Sequence, residues 1–199
     1  MTIVVGLTGG IASGKTTIVD FLRKNKLAVH DSDLVVGEIY SKPKAKFLNY
    51  LKKTSLGKSI KGKNIDKEIV REEIFNNIKK RKLLESYVHD EVKKVRNIFI
   101  KKHKQKKTRI IFLDIPLLFE KKLEKICDFI ILFYAPLTIR KKRAIRRRGM
   151  QKKILEKIIK SQLNDKIKKK KADFAIDTSI NKNQCFNEVL KTIKLIKNK

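Results

Sequence analysis

The sequence predicts an α/β fold in which helices cover both faces of a parallel β-sheet. Short apolar segments recur along the chain, and segments with a helical hydrophobic period separate them. A glycine-rich turn joins the first apolar segment to the first helical one. Ligands of such sheets bind at the carboxyl ends of the strands, so the polar residues at those ends are the candidates for a functional site.

The first half of the chain contains two predicted core strands and one long charged region. A strand is predicted over residues 2–7, a helix over 15–24 and a second strand over 27–30. Residues 42–108 are mostly helical in pattern and have no strong strand, with a Gly/Lys/Asn break at 57–64. Because this region is too long for a simple crossover, we expect it to be a helical substrate-binding insertion.

The second half of the chain alternates strands and helices again. Strands are predicted over residues 109–114, 128–134 and 172–177, and helices over 137–148, 151–169 and 183–197. We therefore expect a single domain of 199 residues. Its core would comprise residues 1–41 and 109–199, and a lid would lie at about 137–171.

The net charge of +31 is the strongest feature of the composition. Such a charge suits a nucleic-acid-binding protein as well as an enzyme with polyphosphate ligands. The basic residues are mostly lysines spread through the predicted helices, and no helix-turn-helix, zinc-finger or aromatic RNA-binding pattern accompanies them. We therefore expect small-molecule ligands and no specific nucleic-acid partner.

Two further features concern the cellular environment. The longest apolar stretch, residues 126–137, is too short to span a bilayer, and no basic leader precedes the N-terminal apolar run. We expect a soluble cytoplasmic protein that does not contact membranes. Cys127 and Cys185 form no Cys-x-x-Cys pair, so we expect reduced thiols and no structural zinc. The oligomeric state is not indicated by the sequence.

The glycine-rich turn has the pattern G-x-x-x-x-G-K-T, formed by Gly9, Gly14, Lys15 and Thr16. Between a strand and a helix, this pattern is typical of a loop that binds nucleotide phosphates through backbone N–H groups and the helix dipole. Lys15 is expected to contact the β- and γ-phosphates, and Thr16 to ligate Mg²⁺. The structural alternative is a plain connecting turn. A dinucleotide-binding loop is disfavoured because G-x-G-x-x-G does not occur.

Carboxylates at the ends of predicted strands are candidates for an acceptor base and a metal ligand. Asp31 and Asp33 follow the second strand, although either residue could instead cap the next helix. Asp114 ends the third strand, where a carboxylate that holds the Mg²⁺ shell is expected. Asp177 ends the last strand. For Glu120, the spacing does not distinguish a functional acid from a solvated one.

Arginines are concentrated in the predicted helix 137–148 of a chain that otherwise uses lysine. They are Arg140, Arg143, Arg146, Arg147 and Arg148. The planar guanidinium binds phosphate through two parallel hydrogen bonds. This helix therefore predicts a lid that closes over ATP and neutralises transition-state charge, with a solvated basic face as the alternative.

Four segments together resemble the dephospho-CoA kinase family. They are GLTGGIASGKT at residues 6–16, DSD at 31–33, DIPLLFE at 114–120 and ADFAIDT at 172–178. The first segment alone indicates only the P-loop kinase superfamily, but the other three occur in the order of the family. The resemblance implies a P-loop kinase fold and the last step of coenzyme A biosynthesis. In that step the γ-phosphate of ATP is transferred to the ribose 3′-hydroxyl of dephospho-CoA with Mg²⁺.

The resemblance also implies roles for individual residues. The catalytic residues would be Asp33 as the base, Lys15 and Arg143. The ATP-binding residues would be Gly9, Gly10, Ile11, Ala12, Ser13, Gly14, Lys15, Thr16, Thr17, Arg143 and Arg147. The substrate-binding residues would be Asp31, Asp33, His89 and Leu118, the metal ligands Thr16 and Asp114, and Gln162 matches a glutamine of the family.

Three departures from the family pattern qualify these roles. Ala12 replaces a loop glycine, which affects how the loop fits a nucleotide. Ser32 replaces an alanine between the two aspartates, and Asp90 stands where the family usually has proline, which makes a role of His89 less secure. A nucleotide or nucleoside kinase would share the loop and lid but lack the DIPLLFE and ADFAIDT segments. A basic nucleic-acid-binding protein with a vestigial nucleotide loop is the alternative of a different class.

Overall fold

A computed structural model of the protein describes residues 1–75 and 77–198. Its strands are β1 (Ile3–Gly9), β2 (Ala28–Asp31), β3 (Ile60–Lys61), β4 (Asn64–Ile65), β5 (Ile110–Asp114), β6 (Phe129–Tyr134) and β7 (Phe174–Asp177). Its helices are α1 (Lys15–Lys24), α2 (Ser32–Ser41), α3 (Ala45–Lys52), α4 (Lys67–Phe75), α5 (Ile78–Gln105), α6 (Leu137–Ile145), α7 (Lys152–Ser161), α8 (Asp165–Lys171) and α9 (Lys182–Lys197). The chain forms two compact units, a core unit of Met1–His30 with Ile100–Lys199 and a helical unit of Asp31–Phe99.

The core unit is built on a five-stranded sheet with the order β2-β5-β1-β6-β7. β1 pairs in parallel with β5 and β6, and β6 pairs in parallel with β7. Leu7 is the partner of Asp114, so the carboxylate at the end of β5 lies beside the last residues of β1. The parallel α/β fold predicted from the sequence is confirmed.

A hydrophobic core fixes the first helix against this sheet. α1 buries Ile18, Val19 and Leu22, whose spacing places them on one helical face. The same core contains Val5, Leu7, Phe112, Phe133, Val189, Ile193 and Ile196. Because the core holds both β1 and α1, the loop between them has rigid supports at each end.

Two helices differ from the bounds that the hydrophobic pattern predicted. The predicted helix 137–148 ends at Ile145 as α6. The predicted helix 151–169 is divided into α7 and α8, because the Asn164 side chain accepts a hydrogen bond from Lys166 N and begins a new helix. In the described part of the chain, no helix has the length and apolar character to cross a membrane.

The helical unit has a core of its own. Its buried members are Phe47, Leu51, Leu56, Ile65, Val70, Leu84 and Val88. The break predicted at residues 57–64 overlaps the antiparallel hairpin of β3 and β4, in which Ile60 pairs with Ile65. Each strand is only two residues long, which is too short for a period of two to be recognised in the sequence. The bounds 42–108 of a substrate-binding insertion stay a prediction.

Candidate active site

The phosphate loop connects β1 to α1 at the carboxyl edge of the sheet. Gly14 has a left-handed backbone with φ of 84°, a conformation that favours glycine. At Gly9 a Cβ atom would lie 2.5 Å from the carbonyl oxygen of Phe133. Both glycines of the motif are therefore required by the conformation or the packing of the loop, and Lys15 begins α1 directly after them.

Ala12 also has a left-handed backbone, with φ of 58°. This conformation costs a residue with a Cβ atom about 1–2 kcal/mol. The Ala12 methyl group is buried in a cluster with Ala144 and Leu155 of helices α6 and α7. Burial of this methyl group offsets part of the conformational cost. The loop thus accommodates the departure from glycine through its contact with the lid segment.

Lys15 and Asp114 form an ion pair at the edge where β1 and β5 end. Lys15 Nζ donates to Asp114 Oδ1, and the two side chains are only 11% and 6% exposed. The lysine predicted to contact phosphates and the carboxylate predicted to hold a metal are therefore adjacent. Thr16, the other predicted metal ligand, is exposed in the first turn of α1.

Two side chains of residues 137–171, the predicted lid (the lid segment), contact the phosphate loop at Ile11. Ile11 N donates to Gln162 Oε1 over 2.9 Å, and Arg140 Nη1 donates to the Ile11 carbonyl oxygen over 3.3 Å. Arg140 is itself paired with Asp165 at 2.6 Å. Both backbone groups of Ile11 are thus bonded to the lid segment. Arg140, one of the arginines of the predicted lid helix, is therefore a positioning residue of the loop.

Arg143 and Arg147 line a cavity of about 320 Å³ beside the phosphate loop. Arg143 donates to the Thr178 carbonyl oxygen over 2.7 Å and to Thr178 Oγ1 over 3.2 Å. Thr178 Oγ1 in turn donates to the Ser13 carbonyl oxygen over 2.6 Å. The Arg143 guanidinium is therefore oriented by a residue that is bonded to the loop. Arg148 is exposed and does not line this cavity.

The remaining wall of this cavity is largely apolar. It consists of Ala12, Gly14, Thr17, Ile18, Ile180, Lys182, Cys185 and Phe186, together with Thr178. Burial raises the pKa of the Cys185 thiol above its ordinary value, so the thiol is protonated at neutral pH. A cavity with apolar surface and cationic side chains is suited to a nucleotide, whose base is largely apolar and whose phosphates are anionic.

Asp31 and Asp33 belong to the helical unit, as does His89. Asp31 Oδ1 accepts from Leu34 N over 2.9 Å and caps α2. Asp33 is exposed and lines a cavity of the helical unit together with Lys67 and Arg71. His89 is exposed on α5. The roles of these residues in substrate binding stay predictions.

Leu118 lies in the interior of the core unit. Its side chain has 0% exposure, and a Cβ atom added to Gly6 would lie 2.7 Å from it. A side chain without exposed surface offers no contact to a ligand in this arrangement. The Leu118 side chain therefore contributes packing, and the substrate contact predicted for this residue stays a prediction.

Glu120 of the same segment is neither solvated nor exposed. Its Oε1 atom lies 2.8 Å from Lys168 Nζ and accepts from Leu163 N over 2.9 Å. The Lys168 side chain has 0% exposure. A buried ammonium is stable only with a partner. Glu120 thus anchors helix α8 to the segment after β5.

Glu120→Ala should lower the free energy of unfolding by about 3–5 kcal/mol, because it leaves the buried ammonium of Lys168 without its partner. Glu124→Ala is the matched control. It removes an ion pair with Lys171, whose side chain is 48% exposed, and should cost less than about 1 kcal/mol. Urea unfolding with equal m-values measures both changes. Equal losses in the two variants would contradict an anchoring role of Glu120.

The two aspartates of the ADFAIDT segment, at the two ends of β7, accept hydrogen bonds from nearby backbone and side-chain groups. Asp173 Oδ2 accepts from Ile130 N over 2.8 Å, and Asp173 N donates to the Ile130 carbonyl oxygen over 3.1 Å. Asp128 makes the same pair of bonds with Val4. Asp177 accepts from the N–H and hydroxyl groups of Ser179 over 2.7 and 2.6 Å. These carboxylates are occupied by structural contacts.

A phosphate loop after the central strand, a carboxylate at the end of the neighbouring strand, and arginines that line a cavity beside the loop are the features of a P-loop kinase. The fold is shared with the shikimate kinase of Bacteroides thetaiotaomicron, with a TM-score of 0.54, 13% identity and coverage of 98% of each chain.

A sequence profile of the dephospho-CoA kinase family matches residues 3–184, and the chain belongs to this family. It is 36% identical to the dephospho-CoA kinase of Fusobacterium nucleatum over 189 residues, which is 94% of each chain. It is 36% identical to that of Bartonella henselae over 197 residues, or 98% of this chain and 99% of the relative. The dephospho-CoA kinase structure from Campylobacter jejuni has a TM-score of 0.73 and 26% identity, and covers 100% of this chain and 98% of that one. The resemblance stated from the motifs is confirmed.

Proposed function

We propose that this kinase transfers the γ-phosphate of ATP to the ribose 3′-hydroxyl of dephospho-CoA and so produces coenzyme A. The observation that supports this acceptor is the family match over residues 3–184, which includes the helical unit as well as the phosphate loop. A P-loop kinase for another acceptor would share the loop and the fold. We also propose that residues 42–108 bind the acceptor and that residues 137–171 act as a lid.

The phosphate loop would bind the triphosphate through its backbone N–H groups and the first turn of α1. Lys15 would contact the β- and γ-phosphates, while Arg143 and Arg147 would approach the same phosphates from the cavity that they line. The apolar wall of that cavity supports binding of the adenine base. The contacts of Ile11 with Gln162 and Arg140 would hold the loop in position during transfer.

Thr16 and Asp114 are the residues that would hold Mg²⁺. A hydroxyl and a carboxylate are suitable ligands, because Mg²⁺ prefers oxygen and usually takes few protein ligands beside water and phosphates. The described residues contain no cluster of three or more His, Cys, Asp or Glu side chains that could hold a metal. A Mg²⁺ site with two protein ligands does not require such a cluster. When bound, the ion neutralises charge on the phosphate oxygens. The Asp114 carboxylate would have to exchange its contact with Lys15 for this role.

Asp33 would accept the proton of the acceptor hydroxyl as the phosphoryl group moves to that oxygen. Asp31 already accepts a hydrogen bond from Leu34 N as the cap of α2. The exposure of the Asp33 carboxylate in a cavity of the helical unit is consistent with contact to a ligand.

The purified protein with Mg-ATP should convert dephospho-CoA to coenzyme A and leave AMP and adenosine nearly unchanged. Products resolved by mass spectrometry measure this selectivity. Lys15→Met serves as the negative control, because it removes the cation at the β- and γ-phosphates. Turnover of AMP at the same rate as dephospho-CoA would overturn the proposed acceptor and indicate a nucleotide kinase.

A further inference from the structure

A cavity of about 480 Å³ lies between helices α2 and α4 of the helical unit. It is lined by Asp33, Val36, Gly37 and Tyr40 from α2 and by Lys67, Val70, Arg71 and Ile74 from α4. On both helices these residues follow the spacing i, i+3, i+4 and i+7, so each helix presents one continuous face to the cavity. The cavity thus has a carboxylate on one wall and two cations on the other.

The two cations have no partner in the described part of the chain. Lys67 and Arg71 are exposed and form no ion pair or hydrogen bond there, whereas the neighbouring Lys61 and Lys80 are paired with Asp66 and Glu73 at 2.8 and 2.7 Å. Lys67 is also the first residue of α4, where a positive charge opposes the helix dipole. Two unpaired cations one helical turn apart on a cavity wall form a binding site for an anion from outside the chain.

The opposite wall leaves room for such a ligand at Gly37, one helical turn after Asp33. A Cβ atom at this position would meet no atom within 4 Å. Packing therefore does not require glycine here, although glycine is a poor helix former. The side chains of Val36, Val70, Ile74 and Tyr40 complete the cavity with apolar surface.

We propose that Lys67 and Arg71 bind the diphosphate of the acceptor. This inference rests on the proposed function. In dephospho-CoA the 3′-hydroxyl and the 5′-diphosphate belong to one ribose, so a site that presents the hydroxyl to Asp33 must hold the diphosphate nearby. Among the residues lining the Asp33 cavity, Lys67 and Arg71 are the cations. The Arg71 fork provides two parallel hydrogen bonds, and Lys67 adds a point charge.

A second cavity of the helical unit, of about 330 Å³, lies on the other face of α2 and is the competing location. It contains Lys42, Lys44 and Lys46, but also Glu38 and Glu91. The hydrogen bond from Lys94 is the main cause of the lowered pKa of Glu91, and the nearby charges of Lys46 and Lys44 lower it further. These lysines are thus already close to an anion of the protein. Because Asp33 does not line this cavity, it is the less suitable site for the ribose diphosphate.

Titration of dephospho-CoA in the absence of nucleotide tests the proposal. Arg71→Gln and Lys67→Gln should each weaken binding by about tenfold or more, the effect of one charge-assisted hydrogen bond. Arg81→Gln, an exposed arginine of α5 outside the cavity, and Lys44→Gln in the second cavity are the matched controls and should bind normally. In steady-state assays, KM for dephospho-CoA should rise in the two cavity variants while KM for ATP is unchanged. Unchanged melting temperatures are expected because Lys67 and Arg71 are exposed.

The outcomes separate this inference from the proposed function. If the wild type phosphorylates dephospho-CoA but both cavity variants bind it normally, the diphosphate site is overturned and the proposed function stands. Weaker binding in Lys44→Gln together with normal binding in Arg71→Gln would assign the diphosphate to the second cavity and also overturn the proposal. A wild type that does not phosphorylate dephospho-CoA would remove the proposed function, and this inference with it.

Discussion

Asp33→Asn should lower kcat for dephospho-CoA by about 10²–10⁴ while the Kd for ATP remains unchanged. This range is the usual contribution of a general base. Asparagine has the same size and still accepts a hydrogen bond, but it does not take up the proton of the hydroxyl. Asp33 is exposed in the first turn of α2, so the loss of its favourable interaction with the helix dipole should cost no more than about 1 kcal/mol of stability. Single-turnover assays and ATP titration measure the two quantities.

Asp31→Asn is the control for this variant, because asparagine caps a helix as well as aspartate does. The cap from Asp31 to Leu34 N should therefore persist, and the loss of kcat should be smaller than in Asp33→Asn. A larger loss in Asp31→Asn would make Asp31 the base. Loss of ATP binding together with turnover in Asp33→Asn would show that Asp33 serves the metal or the fold.

Local patterns predicted most of the sheet and the phosphate loop. Gly9 and Gly14 are required by close packing or a left-handed backbone, and such requirements appear directly as residue types at fixed spacing. Strands β5 and β6 are buried on both faces, so their sequences are nearly continuous apolar runs. The ion pair of Lys15 with Asp114 is consistent with the register of β1 and β5, since Asp114 ends β5 and Lys15 begins α1 directly after the loop that follows β1.

The contacts of the lid segment could not be predicted in this way. Gln162 and Arg140 bind Ile11 from 151 and 129 positions away in the chain, and no periodicity encodes such distant pairs. The residue type of Glu120 was also insufficient to predict whether its carboxylate is solvated or buried, because its ion pair depends on where the fold places Lys168. The late aspartates illustrate the same limit, since the carboxylate of Asp173, directly before β7, accepts a hydrogen bond from Ile130 N, 43 positions earlier in the chain.

The predicted placement of the arginines on one continuous helix was wrong in part, because the helix is shorter than predicted. A helix over 137–148 would place Arg143 and Arg147 on one face, but α6 ends at Ile145, and Arg147 N bonds to the Ala144 carbonyl oxygen. Both residues nevertheless line the cavity beside the phosphate loop, while Arg140 is buried in a pair with Asp165. The arginine cluster therefore contains residues in at least two different environments, which residue type did not distinguish.

Arg143→Lys should lower kcat strongly, because an arginine that contacts the transferring phosphate contributes on the order of 10³. Lysine keeps the charge but loses the planar fork, and with it both hydrogen bonds to Thr178 that orient the side chain. The loss should appear in kcat more than in KM for dephospho-CoA, since the contact is strongest in the transition state.

Arg148→Lys is the matched control, because Arg148 is exposed outside the cavity. The same exchange of fork for ammonium there should leave kcat nearly unchanged. Measurement of kcat for both variants at one ionic strength removes the effect of the general positive field, which each substitution preserves. A large loss in Arg143→Lys alone would support a specific phosphate contact. Equal and small losses would mean that the arginines provide only diffuse positive potential, and the lid role of Arg143 and Arg147 would be withdrawn.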